Sequence, residues 1–170
     1  VIARAADYVS QKYGAKPVFI PMQYPDDLKI IKSIVSKMKC KGYIIQNKYS
    51  IPQVMGITSK LDMLAGMRLH ALIFAISQCV PVVGLVYQPK VAWLLDYIGQ
   101  SSASAGDVKT LDFDNFKSVI DFVWENKFSI MKHFEEVTAN LKDKSIKNAQ
   151  IAVSVLESDN HMQMDKHENE

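Results

Sequence analysis

The sequence predicts an α/β protein: a parallel sheet with helices on both faces that gives way to a helical C-terminus. Three observations predict it. Asp62–Lys90 reads as strand, helix, strand within about thirty residues, the length of a βαβ unit. Strand-like and helix-like stretches alternate from residue 1 to residue 98, the order that builds a parallel sheet. Beyond residue 112 the apolar residues keep helical spacing.

Each element has a local cause. Val1–Tyr13 sets Ile2, Ala5, Ala6 and Val9 on one face and meets Gly14, a helix stop. Lys16–Met22 is rich in Val, Phe and Ile and is a strand. Pro25 and Asp26 open a helix with Leu28, Ile31, Val35 and Met38 on its apolar face. Tyr43–Gln46 is a strand, and Ile51 to about Ser59 a short helix. Met63–Met67 is a short apolar run broken by one glycine, which fits a buried parallel strand. Leu69–Cys79 repeats Leu72, Ile73, Ala75 and Ile76 at helical spacing, and Val80–Tyr87 is a second buried strand. Val91–Ile98 is a helix with Trp93, Leu94 and Tyr97 apolar, ended by Gly99. Ser101–Asp107 is a loop or short edge strand, and Asp112 or Asp114 caps a helix through about Trp124. Phe128, Met131, Phe134, Val137 and Leu141 continue the helical spacing, as does Ser145–Leu156. Residues 1–157 are thus expected to form one domain. The polar, aperiodic segment 158–170 is expected to be a disordered tail, its His161 and His167 solvated rather than metal-bound.

With 170 residues, 48% apolar and 22% charged, the chain can bury a sizeable core. A net charge of +2 does not point to nucleic acid or a membrane surface, and no apolar run has spanning length. Cys40 and Cys79 are far apart and read as reduced thiols, so the expected location is cytoplasmic.

Arg68 and His70 interrupt the most apolar text in the chain. They fall where the Met63–Met67 strand passes into the Leu69–Cys79 helix. Ligands in open α/β sheets bind beyond the carboxyl ends of the strands, and a helix start offers free N–H groups and the positive end of its dipole. Such an arginine can also pair with a surface carboxylate, and such a histidine can bond locally. Together at the ligand edge they read as an anion site. Lys90, after the Val80–Tyr87 strand, and Gln23, after the Lys16–Met22 strand, face the same edge. Tyr24, Tyr87 and Gln88 can line it. Asp26 and Asp27 follow Pro25 and read as helix caps rather than metal ligands.

These residues carry a resemblance. Gly-Met-Arg-Leu-His-Ala-Leu-Ile-Phe-Ala at 66–75, Val-Pro-Val-Val-Gly-Leu at 80–85 and Tyr-Gln-Pro-Lys at 87–90 are similar to the polysaccharide pyruvyl transferases, notably the CsaB-type cell-wall enzymes. Pro21-Met22-Gln23 with Asp26 and Asp27 also resembles that family, as does the spacing onward to Arg68. The similarity is specific in 62–90 and rests on spacing and composition over the rest of 1–157.

The resemblance implies two Rossmann-like domains in a GT-B arrangement. This chain would be the C-terminal, donor-binding one, truncated at its N-terminus and inactive alone. It implies transfer of a pyruvyl group from phosphoenolpyruvate to a sugar of a cell-wall or extracellular polysaccharide, or its lipid-linked precursor, giving a ketal. Arg68, His70, Lys90 and Gln23 would bind the donor, with His70 as the catalytic acid. The missing domain and the glycan acceptor would be partners, with peripheral membrane contact through a lipid-linked acceptor. The chemistry requires no metal or organic cofactor. The chain has no G-x-G-x-x-G, Walker, C-x-x-C or G-x-S-x-G motif. A GT-B nucleotide-sugar glycosyltransferase or a sugar-nucleotide epimerase remains the alternative, with Tyr87 stacking a base and Asp96 the nearest acid for a ribose. A non-catalytic binding fragment is the second alternative.

Overall fold

The computed structural model describes the backbone of residues 1–167 and the side chains of residues 1–155. Its elements run α1 (Ile2–Tyr13), β1 (Val18–Phe19), α2 (Asp26–Val35), β2 (Tyr43–Ile44) and α3 (Ile51–Thr58). They continue with β3 (Leu64–Gly66), α4 (Leu69–Ser77), β4 (Val82–Val86), α5 (Pro89–Tyr97), β5 (Ser104–Asp107), α6 (Phe113–Glu125) and α7 (Lys127–His167). All strand pairs are parallel. They form two open sheets, β1-β2 and β3-β4-β5.

β1 and β2 are shorter than the sequence pattern predicts, and the prolines give a reason. Pro17 and Pro21 bracket β1 and have no N–H to add to a ladder. What pairs is the stretch between them: Tyr43 N–H donates to Pro17 O at 2.9 Å, and Ile45 N–H to Phe19 O at 3.0 Å.

The β3-β4 register explains how α4 and α5 lie on the second sheet. Gly66 and Gly84 are directly opposite each other. A Cβ on Gly84 would stand 2.6 Å from Leu95 Cδ1 and 3.3 Å from Val91 Cγ1, both on α5. A Cβ on Gly66 would meet Leu72 and Ala71 of α4. The two helices therefore share one face of the sheet, and the paired glycines let them approach closely. Val83 and Leu85 alternate to the opposite face and are buried too. There α6 packs on β4 and β5 with Phe116, Ile120 and Val123 buried. Each such fully buried aliphatic or aromatic side chain contributes roughly 1.5–3 kcal/mol.

In α5 the structure departs from the expected apolar trio. Val91, Leu95 and, just past the helix end, Ile98 are buried, Val91 and Leu95 against Gly84, while Trp93 and Tyr97 are 71% and 63% exposed. Likewise Phe128 is exposed, and Ile130 and Phe134 anchor the start of α7. Asp112, one of the two expected caps, caps α6 by accepting from Asn115 N–H at 2.9 Å. Gly14 and Gly99 end α1 and α5 at φ 65° and 69°, where a side chain would be strained.

α1 is held to α6 through one carboxylate. Asp121 accepts from Tyr8 Oη at 2.8 Å and Tyr13 Oη at 2.7 Å, and pairs with Lys12 Nζ at 3.0 Å. Tyr13 stacks on Trp124 with centroids 4.7 Å apart.

The chain divides into two compact units, Val1–Phe134 and Glu135–Glu170. The first holds both sheets. The second is helical as far as His167; α7 covers the segment Ser145–Leu156, and continues into the segment where the sequence pattern predicts a tail. Residues 168–170 of that segment lie outside the described residues. Among the described residues, no helix is long and apolar enough to cross a membrane.

Candidate functional site

The site starts from a backbone change. Arg68 is extended, with φ −89° and ψ 127°, and Leu69 begins α4. The arginine thus leaves the chain at the carboxyl end of β3, at the helix start. Its guanidinium closes on Asp27 of α2: Nη2 donates to Oδ1 at 2.6 Å and Nε to Oδ2 at 3.2 Å. The paired, two-point geometry is the strong form of an arginine–carboxylate contact.

Asp27 does more than meet the arginine. Its Oδ2 also accepts the backbone N–H groups of Met22 at 3.0 Å and Gln23 at 2.8 Å. Burial pushes its carboxyl up, but the Arg68 bond and the two backbone donors outweigh this and hold it below the usual carboxylate range. Arg68 is held correspondingly more basic, first by the Asp27 bond, with the charges of Asp27 and Asp26 adding to it. The segments that leave β1 and β3 therefore converge on one guanidinium. The peptide between Tyr24 and Pro25, in the first of these segments, is cis.

The sequence-based expectation for the acidic pair is corrected here. Neither Asp26 nor Asp27 caps α2; no side chain does. Asp26 receives the Gln23 amide at 3.1 Å, and Asp27 turns back to the loop and across to Arg68. They sit inside the first turn of α2, so their carboxylates suit its positive end while reaching outward.

Two helix starts lie side by side at this edge. β3 and β4 are neighbours, so the N-termini of α4 and α5 are adjacent. Neither has a side-chain cap. The leading N–H groups of Leu69, His70 and Lys90 have no intrahelical acceptor; Pro89 has no N–H to offer. Like them, α1 and α2 have no side-chain cap, whereas Asp112 caps α6, and Gln53 of α3 accepts from Ser50 N–H at 2.9 Å.

His70 is the second residue of α4 and is exposed, its ring 6.4 Å from that of Phe74 and tilted by 47°. Lys90 is the second residue of α5 and is exposed, as are Gln23 and Gln88; Tyr24 and Tyr87 are 45% and 59% exposed. The structure thus joins Arg68 to the Gln23 loop through Asp27. Among the described residues, no hydrogen bond or ion pair joins His70 or Lys90 to Arg68; they share its edge of the sheet. Asp27 is the residue whose role sequence reading missed. Its signal was a carboxylate in the loop after one strand and an unmatched arginine after another, 41 residues apart.

A cavity of about 750 Å³ lies elsewhere, between α1, the start of α6 and Lys37–Lys39. Arg4 and Asp7 in its lining already have partners. Arg4 lies 3.6 Å over the Phe113 ring, and Asp7 accepts from Lys39 and Cys40 N–H at 2.8 Å. It is therefore not part of this site. Among the described residues, no group of three or more His, Cys, Asp or Glu could hold a metal ion.

An arginine and two open helix starts at the carboxyl ends of parallel strands suit an α/β domain that holds an anionic ligand. A sequence model of one family, polysaccharide pyruvyl transferase, matches residues 1–89, more than half of the chain. The chain belongs to the polysaccharide pyruvyl transferase family. The matched segment contains Gln23, Asp27, Arg68 and His70, and ends one residue before Lys90. Membership assigns the chain to the transferases, and to pyruvyl transfer in polysaccharide biosynthesis. No curated protein and no solved structure matches it.

Proposed function

We propose that the chain is the donor-binding, C-terminal domain of a GT-B-type enzyme. That enzyme moves a pyruvyl group from phosphoenolpyruvate to a sugar of a cell-wall or extracellular polysaccharide, or of its lipid-linked precursor. The observation that carries this reading is Arg68, held in a fork beside two uncapped helix starts. Phosphoenolpyruvate has a phosphate and a carboxylate. The guanidinium edge turned away from Asp27, the N–H groups of Leu69 and His70, and Lys90 with its own N–H supply donors for both. Gln23 borders the same edge from the β1 side.

The bonds change as follows. A proton adds to the methylene carbon of the enol phosphate, and the cation left on the adjacent carbon is trapped by one sugar hydroxyl, which releases its proton. Phosphate then leaves, and a second hydroxyl attacks the same carbon, losing its proton and closing the ketal. His70 is the proton donor in this scheme. It is exposed, stands at the donor edge, and belongs to the residue type best suited to proton transfer near neutral pH. The scheme requires no metal or organic cofactor.

Tyr87 favours one competing reading. It is exposed and follows the carboxyl end of β4, so it can stack a nucleobase whose diphosphate occupies the helix starts, as in a nucleotide-sugar glycosyltransferase or epimerase. Calorimetric titration of the chain with phosphoenolpyruvate and, separately, uridine diphosphate decides between them. Heat of binding from phosphoenolpyruvate alone is expected. Tight uridine diphosphate binding without phosphoenolpyruvate binding replaces the reading.

A further inference from the structure

We infer that Asp27 is the positioning residue of the donor site, fixing Arg68 and the Met22–Gln23 loop in one arrangement before the donor arrives. The inference rests on the reading of Arg68 as a donor ligand.

Arg68 has a long side chain that, left alone at a strand end, would sample many rotamers. Ordering it on binding costs side-chain entropy, a cost the free protein has already met if the side chain is fixed in advance. Asp27 fixes it at two points, Nη2 on Oδ1 and Nε on Oδ2. Two-point contact also sets the plane of the guanidinium, so the edge away from Asp27 faces a set direction. The pair is placed for this: the arginine side chain is 40% exposed, within reach of a ligand, while the aspartate is 19% exposed behind it.

The same carboxylate gathers the loop. Oδ2 accepts from both Met22 and Gln23 N–H, so Gln23 is placed relative to Arg68 by a shared atom. β1 and β3 lie in different sheets, and no strand pairing fixes their carboxyl ends to each other. Asp27 supplies a link there. Chemically it is also the right partner: a carboxylate accepts several bonds at once and competes with no donor of the ligand.

A plain structural role would predict something different, and a mutant cycle separates the two. Phosphoenolpyruvate is titrated calorimetrically into the 170-residue chain and into Asp27→Asn, Asp27→Glu, Arg68→Ala and the Asp27→Asn/Arg68→Ala double variant, with thermal melting of each. Asp27→Asn keeps the size of the side chain but loses its charge and one acceptor oxygen. If Asp27 acts through Arg68, Asp27→Asn weakens donor binding roughly ten- to a hundredfold. Asp27→Glu recovers part of that loss, and in the Arg68→Ala background Asp27→Asn costs only the smaller part carried by the Gln23 loop. Additive losses in the double variant overturn the positioning role, as does unchanged affinity in Asp27→Asn. If Asp27→Asn fails to fold, the comparison of Asp27→Glu with the parent chain decides, and unaltered affinity there with the arginine displaced refutes the inference. Normal affinity in Arg68→Ala removes the donor reading itself, and the inference with it. Lost affinity in Arg68→Ala with none lost in Asp27→Asn removes the inference alone.

Discussion

Arg68 and His70 are two residues apart, yet they meet different fates: the arginine turns back to a carboxylate, and the histidine stays exposed at the helix start. The difference fixes what each substitution should do. Arg68→Ala removes the guanidinium and leaves Asp27 with only its backbone donors. Donor affinity should fall roughly ten- to a hundredfold, the scale of a lost charge-assisted bond. The melting temperature should fall modestly, because the pair is partly solvated. Affinity at the parent level in a titration would contradict the assignment. His70→Gln separates chemistry from binding. As the acid, it should keep much of the donor affinity in the full-length enzyme while turnover drops about a hundredfold or more. A parallel drop in both would make His70 a ligand only. Full activity with a lower melting temperature would make it structural. The position of Arg68, His70 and Lys90 at the carboxyl edge of the strands was legible in the sequence, because charged side chains interrupt an apolar βαβ unit there. The Asp27 bridge was not, because nothing in local spacing says which carboxylate an arginine will find across 41 residues.

At the scale of elements, the sequence pattern located helices well and buried faces less well. α1, α4 and α6 begin and end within two residues of where periodicity, glycine and capping aspartate place them. The two-residue strands β1 and β2 were overestimated, since apolar content does not reveal that flanking prolines stop a ladder. The buried face of α5 is not legible from apolar content, which marks Trp93, Leu94 and Tyr97 without saying which way they turn. What decides it is the glycine opposite: Gly84 leaves room for Leu95 and Val91, so these turn inward. This makes a sharp comparison. Gly84→Ala puts a methyl 2.6 Å from Leu95 Cδ1, and Leu95 is fully buried with little room to move. It should destabilise by about 1–3 kcal/mol, the range for overpacking a core. Gly56→Ala adds the same methyl in α3, where nothing lies within 4 Å, and should be stabilising by about 0.5–1 kcal/mol through helix propensity. Urea unfolding midpoints of the two variants test the close packing of α5 on β4; equal midpoints would mean that the Gly84 contact is not close.

At the scale of the whole molecule, Asp27 and Asp121 are two of the carboxylates that join parts which, among the described residues, no strand pairing joins. Asp27 links the loop after β1 to the end of β3, and Asp121 links α1 to α6. Both are held below the usual carboxylate value of 3.8 despite burial, which alone would raise them. For Asp121 the opposing causes are the bonds from Tyr13, Lys12 and Tyr8. The sign of the pH effect follows. A carboxyl that is more acidic when folded binds fewer protons in the folded state than in the unfolded one, so stability rises with pH in that window. The stabilisation is fully present above the unfolded value of 3.8 and is lost as pH falls through the lower folded values. Urea unfolding between about pH 7 and pH 5 should therefore show a flat contribution from these groups, with an acid limb opening below 3.8. Asp27→Asn and Asp121→Asn should each lower stability at neutral pH and shallow that limb. Together they should shallow it by the sum of the two, because the groups bond separate partners in separate parts of the fold. An acid limb in the double variant as steep as in the parent chain would show that other carboxylates govern acid unfolding, and that these two links do not hold the parts together.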